Sequence, residues 1–160
     1  MGAAGLACAM AAKKSARKPG ARSGARFTSE ELAAMKERAR ELRSRAPAGA
    51  TTGEAEVLAK IATMAPRDRH LAERLHALVR AHAPDLSART WYGMPAYSKN
   101  GQILCFFQAA GKFKTRYATL GFSDEANLDE DKMWPTAFAL TALSPAEEAV
   151  IASLLKRALT

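Results

Sequence analysis

The sequence predicts an α+β domain: an antiparallel sheet of about four to five strands, packed by an N-terminal and a C-terminal helix, with extra N-terminal helices. Three observations lead to this class. Apolar residues recur at helical spacing up to residue 84, at the spacing of strands between 88 and 140, and again at helical spacing after 145. Helices, then strands, then a helix is an order typical of α+β folds rather than of parallel βαβ units.

Length and composition limit the chain to one ordinary globular domain. It has 160 residues, of which 48% are hydrophobic and 25% charged, and it lacks the long apolar run needed to span a bilayer. Cys8 and Cys105 predict neither a disulfide framework nor a metal site. The apolar stretch at the N-terminus precedes its basic residues, the reverse of a secretory signal. These features favour a cytoplasmic protein with no membrane partner, and Met10 is an alternative start.

The formal net charge of +8 is concentrated at the N-terminus. Residues 1–26 contain six basic and no acidic side chains, whereas the rest of the chain has 18 basic and 16 acidic ones. Since it also lacks apolar periodicity, this segment is predicted to be a disordered basic tail. Such a tail can add weak, salt-sensitive and nonspecific affinity for nucleic acid, and the alternative is a solubilising leader with no specific partner.

Residues 27–47 are predicted to form a peripheral N-terminal helix outside the main domain, which covers 52–160. Thr28 and Glu31 have the spacing of a capping box, and Pro47 stops the helix after about Arg45. Its apolar positions recur every three or four residues: Leu32, Met35, Ala39, Leu42 and Ala46. Two of these five are alanine, so the helix is expected to lie against the domain or to dock on a partner rather than to form a coiled coil.

Two more helices are predicted before the sheet and one after it. A linker at 48–53 is expected to lead into the second helix, with Thr51 as the N-cap of that helix. The third has Pro66 in its first turn and ends before Pro84. The last helix opens at Ser144, which is followed by a proline and an acid in the first turn.

Five extended segments predict the sheet. Asn100 and Gly101 form the dipeptide most typical of a type I′ hairpin, which places two strands side by side. A continuous apolar run after this turn is typical of a central strand, and a proline near the start of the last segment indicates an edge strand. The predicted strands are 88–92, 94–99, 102–109, 113–122 and 134–140.

A motif at 91–97 resembles a bacterial family. It reads Trp-Tyr-Gly-Met-Pro-Ala-Tyr and is followed by Gly101 and the apolar strand. With the helices before and after it, over roughly 69–159, this stretch resembles the YdhG-like family, a domain of unknown function catalogued under the number 1801. The resemblance implies an α-β-α layered fold. Some relatives are described as frataxin-like iron chaperones, which implies iron as the one cofactor to consider, and no catalytic residues come with the resemblance.

The same motif predicts a ligand-binding groove. Its aromatic and thioether side chains surround a glycine and a proline, where the backbone must bend: Trp91, Tyr92, Met94 and Tyr97. Three basic side chains alternate onto one face of the next predicted strand: Lys112, Lys114 and Arg116. Together they are candidates to bind a small anionic ligand or the acidic segment of a protein. The alternative is that the aromatic residues are core and the basic ones solvated.

The clustered carboxylates of the chain lie in a predicted loop, 124–131, which we call the acidic loop. Its acidic residues are Asp124, Glu125, Asp129, Glu130 and Asp131. Carboxylate oxygens are ligands for hard cations, so this loop is the candidate site for the iron that the resemblance implies. Its spacing is not that of an EF-hand, and a solvated loop is the alternative.

The sequence contains no catalytic or nucleotide-binding signature. A nucleophile elbow, a dinucleotide-binding glycine motif and a Walker loop are all missing. The three histidines lie six residues apart on the third predicted helix, so neighbours point about 120° apart and do not converge on one ion. A non-catalytic binding or chaperone-like domain is therefore favoured over a small-molecule enzyme of unknown reaction and over a nucleic-acid-associated protein.

Overall fold

The computed structural model describes residues 27–43 and 50–160. The predicted basic tail, 1–26, and the end of the predicted N-terminal helix, 44–47, lie outside this part of the chain. Within it the elements follow one another in this order: α1 (Ser29–Arg43), α2 (Ala50–Ala62), α3 (Pro66–His82), β1 (Ser87–Trp91), β2 (Met94–Lys99), β3 (Gln102–Gln108), α4 (Ala110–Phe113), β4 (Ala118–Phe122), β5 (Ala137–Leu140) and α5 (Pro145–Leu159).

The strands form one five-stranded antiparallel sheet in chain order, β1-β2-β3-β4-β5. Helices flank this sheet at the N-terminal and C-terminal ends of the domain, so the predicted α+β class is confirmed. Asn100 and Gly101 link β2 to β3 with φ angles of 52° and 85°. Positive φ at both positions is what a type I′ turn requires, which confirms the predicted hairpin.

The main core lies between one face of the sheet and helices α2, α3 and α5. The helices contribute buried aliphatic side chains: Val57, Ile61, Leu71, Leu75, Val79, Ile151 and Leu155. The sheet contributes the buried side chains of Tyr97, Cys105, Phe107 and Leu120. Burying a side chain of this size contributes about 1.5–3 kcal/mol, so this layer is the main source of stability.

The capping box predicted at Thr28 is present, and Ser144 is the N-cap of α5 as predicted. The backbone N–H of Thr28 donates to Glu31 at 2.7 Å, and the N–H of Glu31 donates to the Thr28 hydroxyl at 3.2 Å. At the start of α5 the N–H of Ser144 donates to Glu147 at 2.8 Å, and the Ser144 hydroxyl accepts from the N–H of Ala146 at 3.3 Å. These bonds satisfy backbone donors that the helices themselves leave unpaired.

Several predicted boundaries were wrong by a few residues. Helix α2 begins at Ala50, so Thr51 lies within the helix rather than at its N-cap, and four of the six residues of the predicted linker, 50–53, are helical. The last strand begins at Ala137 rather than at residue 134. Pro135 has no N–H to give to a strand ladder, which explains the late start.

Helix α2 approaches β1 closely because Gly53 has no side chain. A Cβ atom added there would lie closer to the carbonyl oxygen of Ala88 than real Cβ contacts allow. The glycine thus lets the helix backbone rest directly on the strand backbone. This contact fixes the distance between the helix layer and the edge of the sheet.

A polar cluster crosses the core between α2, α3 and β2. Nδ1 of His76 lies 3.0 Å from the hydroxyl of Tyr97, and Nε2 lies 3.2 Å from a carboxylate oxygen of Glu54. A carboxylate only accepts, so Nε2 carries the hydrogen and Nδ1 accepts from the hydroxyl. Burial, together with the nearby Arg80, lowers the pKa of His76 despite the opposing effect of Glu54. Burial also raises the pKa of Tyr97, which stays a neutral donor.

We expect Gly53→Ala to destabilise the protein by about 1–3 kcal/mol through overpacking against Ala88. Helix propensity alone would instead favour alanine by about 1 kcal/mol. Urea denaturation measures the net effect. Ala55→Gly, at an exposed position of the same helix, is the matched control and should lose only the propensity term. A Gly53→Ala variant as stable as the wild type would contradict the close contact.

Stability should decrease as the pH falls below about 6.5, the pKa of an unperturbed histidine. The pKa of His76 is lowered in the folded state, so the unfolded chain binds a proton where the folded chain does not. This contribution to stability is present above the unfolded pKa and is lost as the pH falls through the folded pKa. The groups facing His76 are Glu54, Arg80 and Tyr97.

Thermal denaturation between about pH 7.5 and about pH 5 tests this loss, because the range spans the unfolded pKa of histidine. His76→Gln removes the titrating ring and should show a smaller decrease in melting temperature over the same range. If the melting temperatures of the wild type and the variant decrease equally over this pH range, the pH dependence arises from groups other than His76.

Candidate functional site

The candidate site is built around the two-residue turn that links β1 to β2. Tyr92 and Gly93 have φ angles of 53° and 66°, the signature of a second type I′ turn. Sequence reasoning placed Tyr92 at the end of a strand and missed this hairpin, because tyrosine rarely adopts a positive φ. The turn exposes two successive backbone N–H groups that the strand ladder does not use.

Glu41 of α1 accepts both of these N–H groups. Tyr92 donates at 3.1 Å and Gly93 at 2.8 Å, one to each carboxylate oxygen. Arg38, on the same face of α1, pairs with Glu41 at 3.3 Å and lies 5.6 Å from the centre of the Tyr92 ring. Hydrogen bonds to a charged acceptor are stronger than neutral ones, so this carboxylate fixes α1 over the turn.

Glu37, one helical turn before Glu41, lies between two ammonium groups. Lys60 of α2 donates to one of its oxygens at 2.6 Å, and Lys112 of α4 bonds to the other. Lys112 also donates to the carbonyl oxygen of Tyr92 at 2.6 Å. Burial would raise the pKa of Glu37, but the hydrogen bonds from Lys112 and Lys60 outweigh it and keep the pKa below its usual range.

We call these donors the carboxylate cradle: the ammonium groups of Lys60 and Lys112 and the backbone N–H groups of Tyr92 and Gly93. Its four donors come from α2, α4 and the β1–β2 turn, and all of them are bonded to carboxylates of α1. Two positive charges and a pair of adjacent N–H groups define a site for anions. In this structure its donors are bonded to the carboxylates of Glu37 and Glu41.

A third carboxylate of α1 makes a contact of the same kind. Glu30 pairs with Lys114, and the hydrogen bond from Lys114 lowers the pKa of Glu30 to about 2. Glu30, Glu37 and Glu41 project from one face of α1, because steps of seven and eleven residues return to within about 20° of the first. This acidic spacing was visible in the sequence and is the signal that could have identified the contact face.

A cleft of about 410 Å³ opens beside the cradle. It is lined by Glu37, Lys60 and Lys112 on one side, and the other walls include the apolar side chains of Met64, Met94 and Phe107. Asp68, also in the lining, is 4% exposed and accepts the N–H of Gly111 at 2.7 Å. The volume and the mixture of apolar walls with a few charged groups are typical of small-molecule sites.

The structure brings together only part of the groove predicted at 91–97. Tyr92 contributes to the cradle, and Met94 lines the cleft. The Trp91 ring lies 5.2 Å from the Tyr92 ring, beside the turn. Tyr97 is 1% exposed and has its hydroxyl bonded within the core, so it lies away from the groove.

The predicted alternation of Lys112, Lys114 and Arg116 on one face of a strand is wrong. Residues 110–113 form the one-turn helix α4, and Lys114 ends it in the left-handed conformation. Strand β4 begins only at Ala118. A helical turn followed by a positive φ breaks the alternation of a strand, so Lys112 lies in the cradle, Lys114 reaches α1, and Arg116 lies in the bend before β4.

The predicted apolar stripe of α1 is not the face by which the helix contacts the domain. Leu32, Met35 and Leu42 are 46–48% exposed, whereas Ala34, outside the predicted stripe, is 6% exposed. The helix contacts β1 and α4 at the end of the sheet. Its contact is therefore made mainly by charged side chains and by little apolar surface.

The acidic loop leaves the sheet after β4 and is held by buried apolar residues. Ala126 and Leu128 point into the core, and Glu130 lies 3.3 Å from Arg157. Among residues 27–43 and 50–160, no three His, Cys, Asp or Glu side chains are grouped so that they could hold a metal ion. Iron binding by Asp124, Glu125, Asp129, Glu130 and Asp131 stays a prediction.

Comparison with known proteins gives no match: no family model, curated protein or solved structure matches this chain. The resemblance to the YdhG-like family therefore stays a prediction based on the motif at 91–97. None of the helices in the described part of the chain is long and apolar enough to cross a membrane. The fold and the site define an α+β domain whose first hairpin turn is covered by a charged helix.

Helix α1 should detach more readily as the ionic strength rises. Salt screens partly exposed ion pairs, with a Debye length of about 10 Å at 0.1 M and about 3 Å at 1 M, and little buried apolar surface holds this helix. Hydrogen–deuterium exchange at these two salt concentrations should show loss of protection in Ser29–Arg43. The matched control is Pro66–His82, which packs in the core and should keep its protection. Equal protection of α1 at both concentrations would contradict an electrostatic attachment.

Proposed function

We propose that this protein is a non-catalytic binding domain whose carboxylate cradle and adjoining cleft, next to the motif at 91–97, receive a carboxylate-bearing ligand. One observation carries the proposal. The cradle already binds two carboxylates of its own chain, Glu37 on the two lysines and Glu41 on the turn N–H groups. The groups that a site binds within its own chain indicate the chemistry it accepts from a ligand.

The cradle is suited to binding because its donors are held in place by the backbone. The N–H groups of Tyr92 and Gly93 are fixed by a tight hairpin turn, and Lys112 is held by its bond to the Tyr92 carbonyl. Donors that are ordered before a ligand arrives lose little entropy when it binds. Bonds between charged donors and carboxylates add strength and specificity.

The residues around the cleft favour binding over catalysis. The carboxylate of Asp68 is bonded to a backbone N–H, and Lys60 and Lys112 are bonded to Glu37. Cys105, which does not line the cleft, is buried in the core, and burial raises the pKa of its thiol to about 12. A thiol in this state is a poor nucleophile.

The ligand class follows from the two sides of the cleft. A carboxylate can replace Glu37 between Lys60 and Lys112, while a short apolar group can contact Met94 and Phe107. A volume of about 410 Å³ accommodates a small organic acid. The same donors also suit an acidic side chain that a partner protein presents.

The proposal is tested with the full chain carrying Glu37→Ala and Glu41→Ala, which empties the cradle. Glutarate, a small dicarboxylate, is the probe. Titration into the ¹⁵N-labelled variant should shift the amide signals of Tyr92 and Gly93 saturably. The wild type should bind glutarate at least ~10-fold more weakly, because its own carboxylates reduce the population of free cradle.

Two controls separate site binding from a general effect of charge. Glu125→Ala with Asp129→Ala removes the same number of carboxylates from an exposed loop and should behave as the wild type does. Adding Lys112→Gln to the emptied variant should abolish the saturable shifts. If the emptied variant gives no saturable shifts at Tyr92 and Gly93, the proposed function is wrong.

A further inference from the structure

We infer that α1 is a displaceable occupant of the carboxylate cradle and that an acidic helix of a partner protein takes its place. The inference rests on the proposed function and specifies the ligand as a helix with carboxylates at a defined spacing. Helix α1 then acts as an internal competitor, which covers the β1–β2 turn until a helix with higher affinity for the cradle binds.

The attachment of α1 is suited to displacement. Its bonds to the domain are made by Glu30, Glu37 and Glu41, which pair with lysines or with turn N–H groups. Ala34 is its buried hydrophobic residue among the side chains described, so little apolar surface is lost when the helix leaves. A competing helix has to replace carboxylate contacts rather than a packed core.

The acceptor sites for these three carboxylates lie along a line that matches one face of a helix. Lys114 receives the first, Lys60 and Lys112 receive the second, and the turn N–H groups receive the third. The three acids are separated by seven and then four residues, which keeps them on one face. A partner helix with acids at this spacing meets all three acceptor sites at once.

An apolar groove beside α1 gives such a helix a second contact. It has a volume of about 340 Å³ and lies between α1, the hairpin and α4. The walls that stay in place when α1 leaves include Tyr92, Met94 and Phe113, whereas Ala34 and Met35 belong to α1 itself. A partner helix with a larger apolar side chain in place of Ala34 can fill this groove better than α1 does, and recognition of a helix in an apolar groove is a recurrent mode of binding.

The test uses the full-length chain and a synthetic peptide of residues 27–43 as the probe. Fluorescence anisotropy of the labelled peptide should show binding to the Glu37→Ala, Glu41→Ala variant at least ~10-fold tighter than to the wild type, whose cradle is occupied. In the ¹⁵N-labelled wild type, excess unlabelled peptide should move the amide signals of Ser29–Arg43 toward those of an unfolded segment.

Two control peptides test the spacing. One has glutamine in place of both Glu37 and Glu41, and the other has the same composition with these glutamates moved by one residue to another face of the helix. Both should bind at least ~10-fold more weakly than the parent peptide, since each lost charge-assisted bond is strong. Equal binding by the parent and the shifted peptide would contradict recognition of a helix face.

The remaining outcomes distinguish this inference from the proposed function. Saturable glutarate binding without peptide binding would leave the cradle as a small-acid site and overturn the partner helix. Concentration-dependent dimerisation of the wild type in sedimentation, with exchange of α1, would assign the cradle to a second copy of this chain and also overturn it. Absence of binding by both probes would overturn the proposed function itself.

Discussion

Two backbone N–H groups at the β1–β2 turn determine how the N-terminal part of the chain is arranged. The strand ladder does not use the N–H groups of Tyr92 and Gly93, and a donor that α1 covers without bonding would cost about 1–3 kcal/mol. Glu41 satisfies both donors, which places α1 across the turn. Glu37 then lies one turn earlier, between Lys60 and Lys112. The positions of α1, the cradle and one wall of the cleft therefore follow from the geometry of a single turn.

Two features of this arrangement favour glycine at position 93. Its φ of 66° is in the region that glycine adopts without strain. A Cβ atom at this position would also displace the ends of the Glu37 and Lys112 side chains. Tyr92 precedes it with a φ of 53°, a conformation that is unfavourable for a residue with a side chain. Its bonds to Glu41 and Lys112 and its contact with Arg38 offset that cost.

Most of the fold could be predicted from the sequence, because local patterns record it. The helix caps at Thr28 and Ser144, the turn at Asn100 and Gly101 and the apolar strands all depend on neighbouring residues. The site could not be predicted in this way. Helix α4 is only four residues long, too short for any periodicity, and α1 binds through carboxylates whose partners are distant in sequence. Apolar periodicity reports the burial of hydrophobic surface, so it predicts a core and not an electrostatic contact.

The residues of the motif at 91–97 have two structural roles. These roles limit what can be inferred about this chain from a resemblance based on the motif. Ala96 and Tyr97 are buried in the sheet and core, so they preserve the fold, whereas Tyr92 and Gly93 form the turn. The charges that define the cradle come instead from Lys60 and Lys112, on α2 and α4. A protein with the same motif but without these lysines would share the hairpin and lack the cradle. The charged donors of the cradle therefore lie outside the motif, whereas its two backbone donors lie within it.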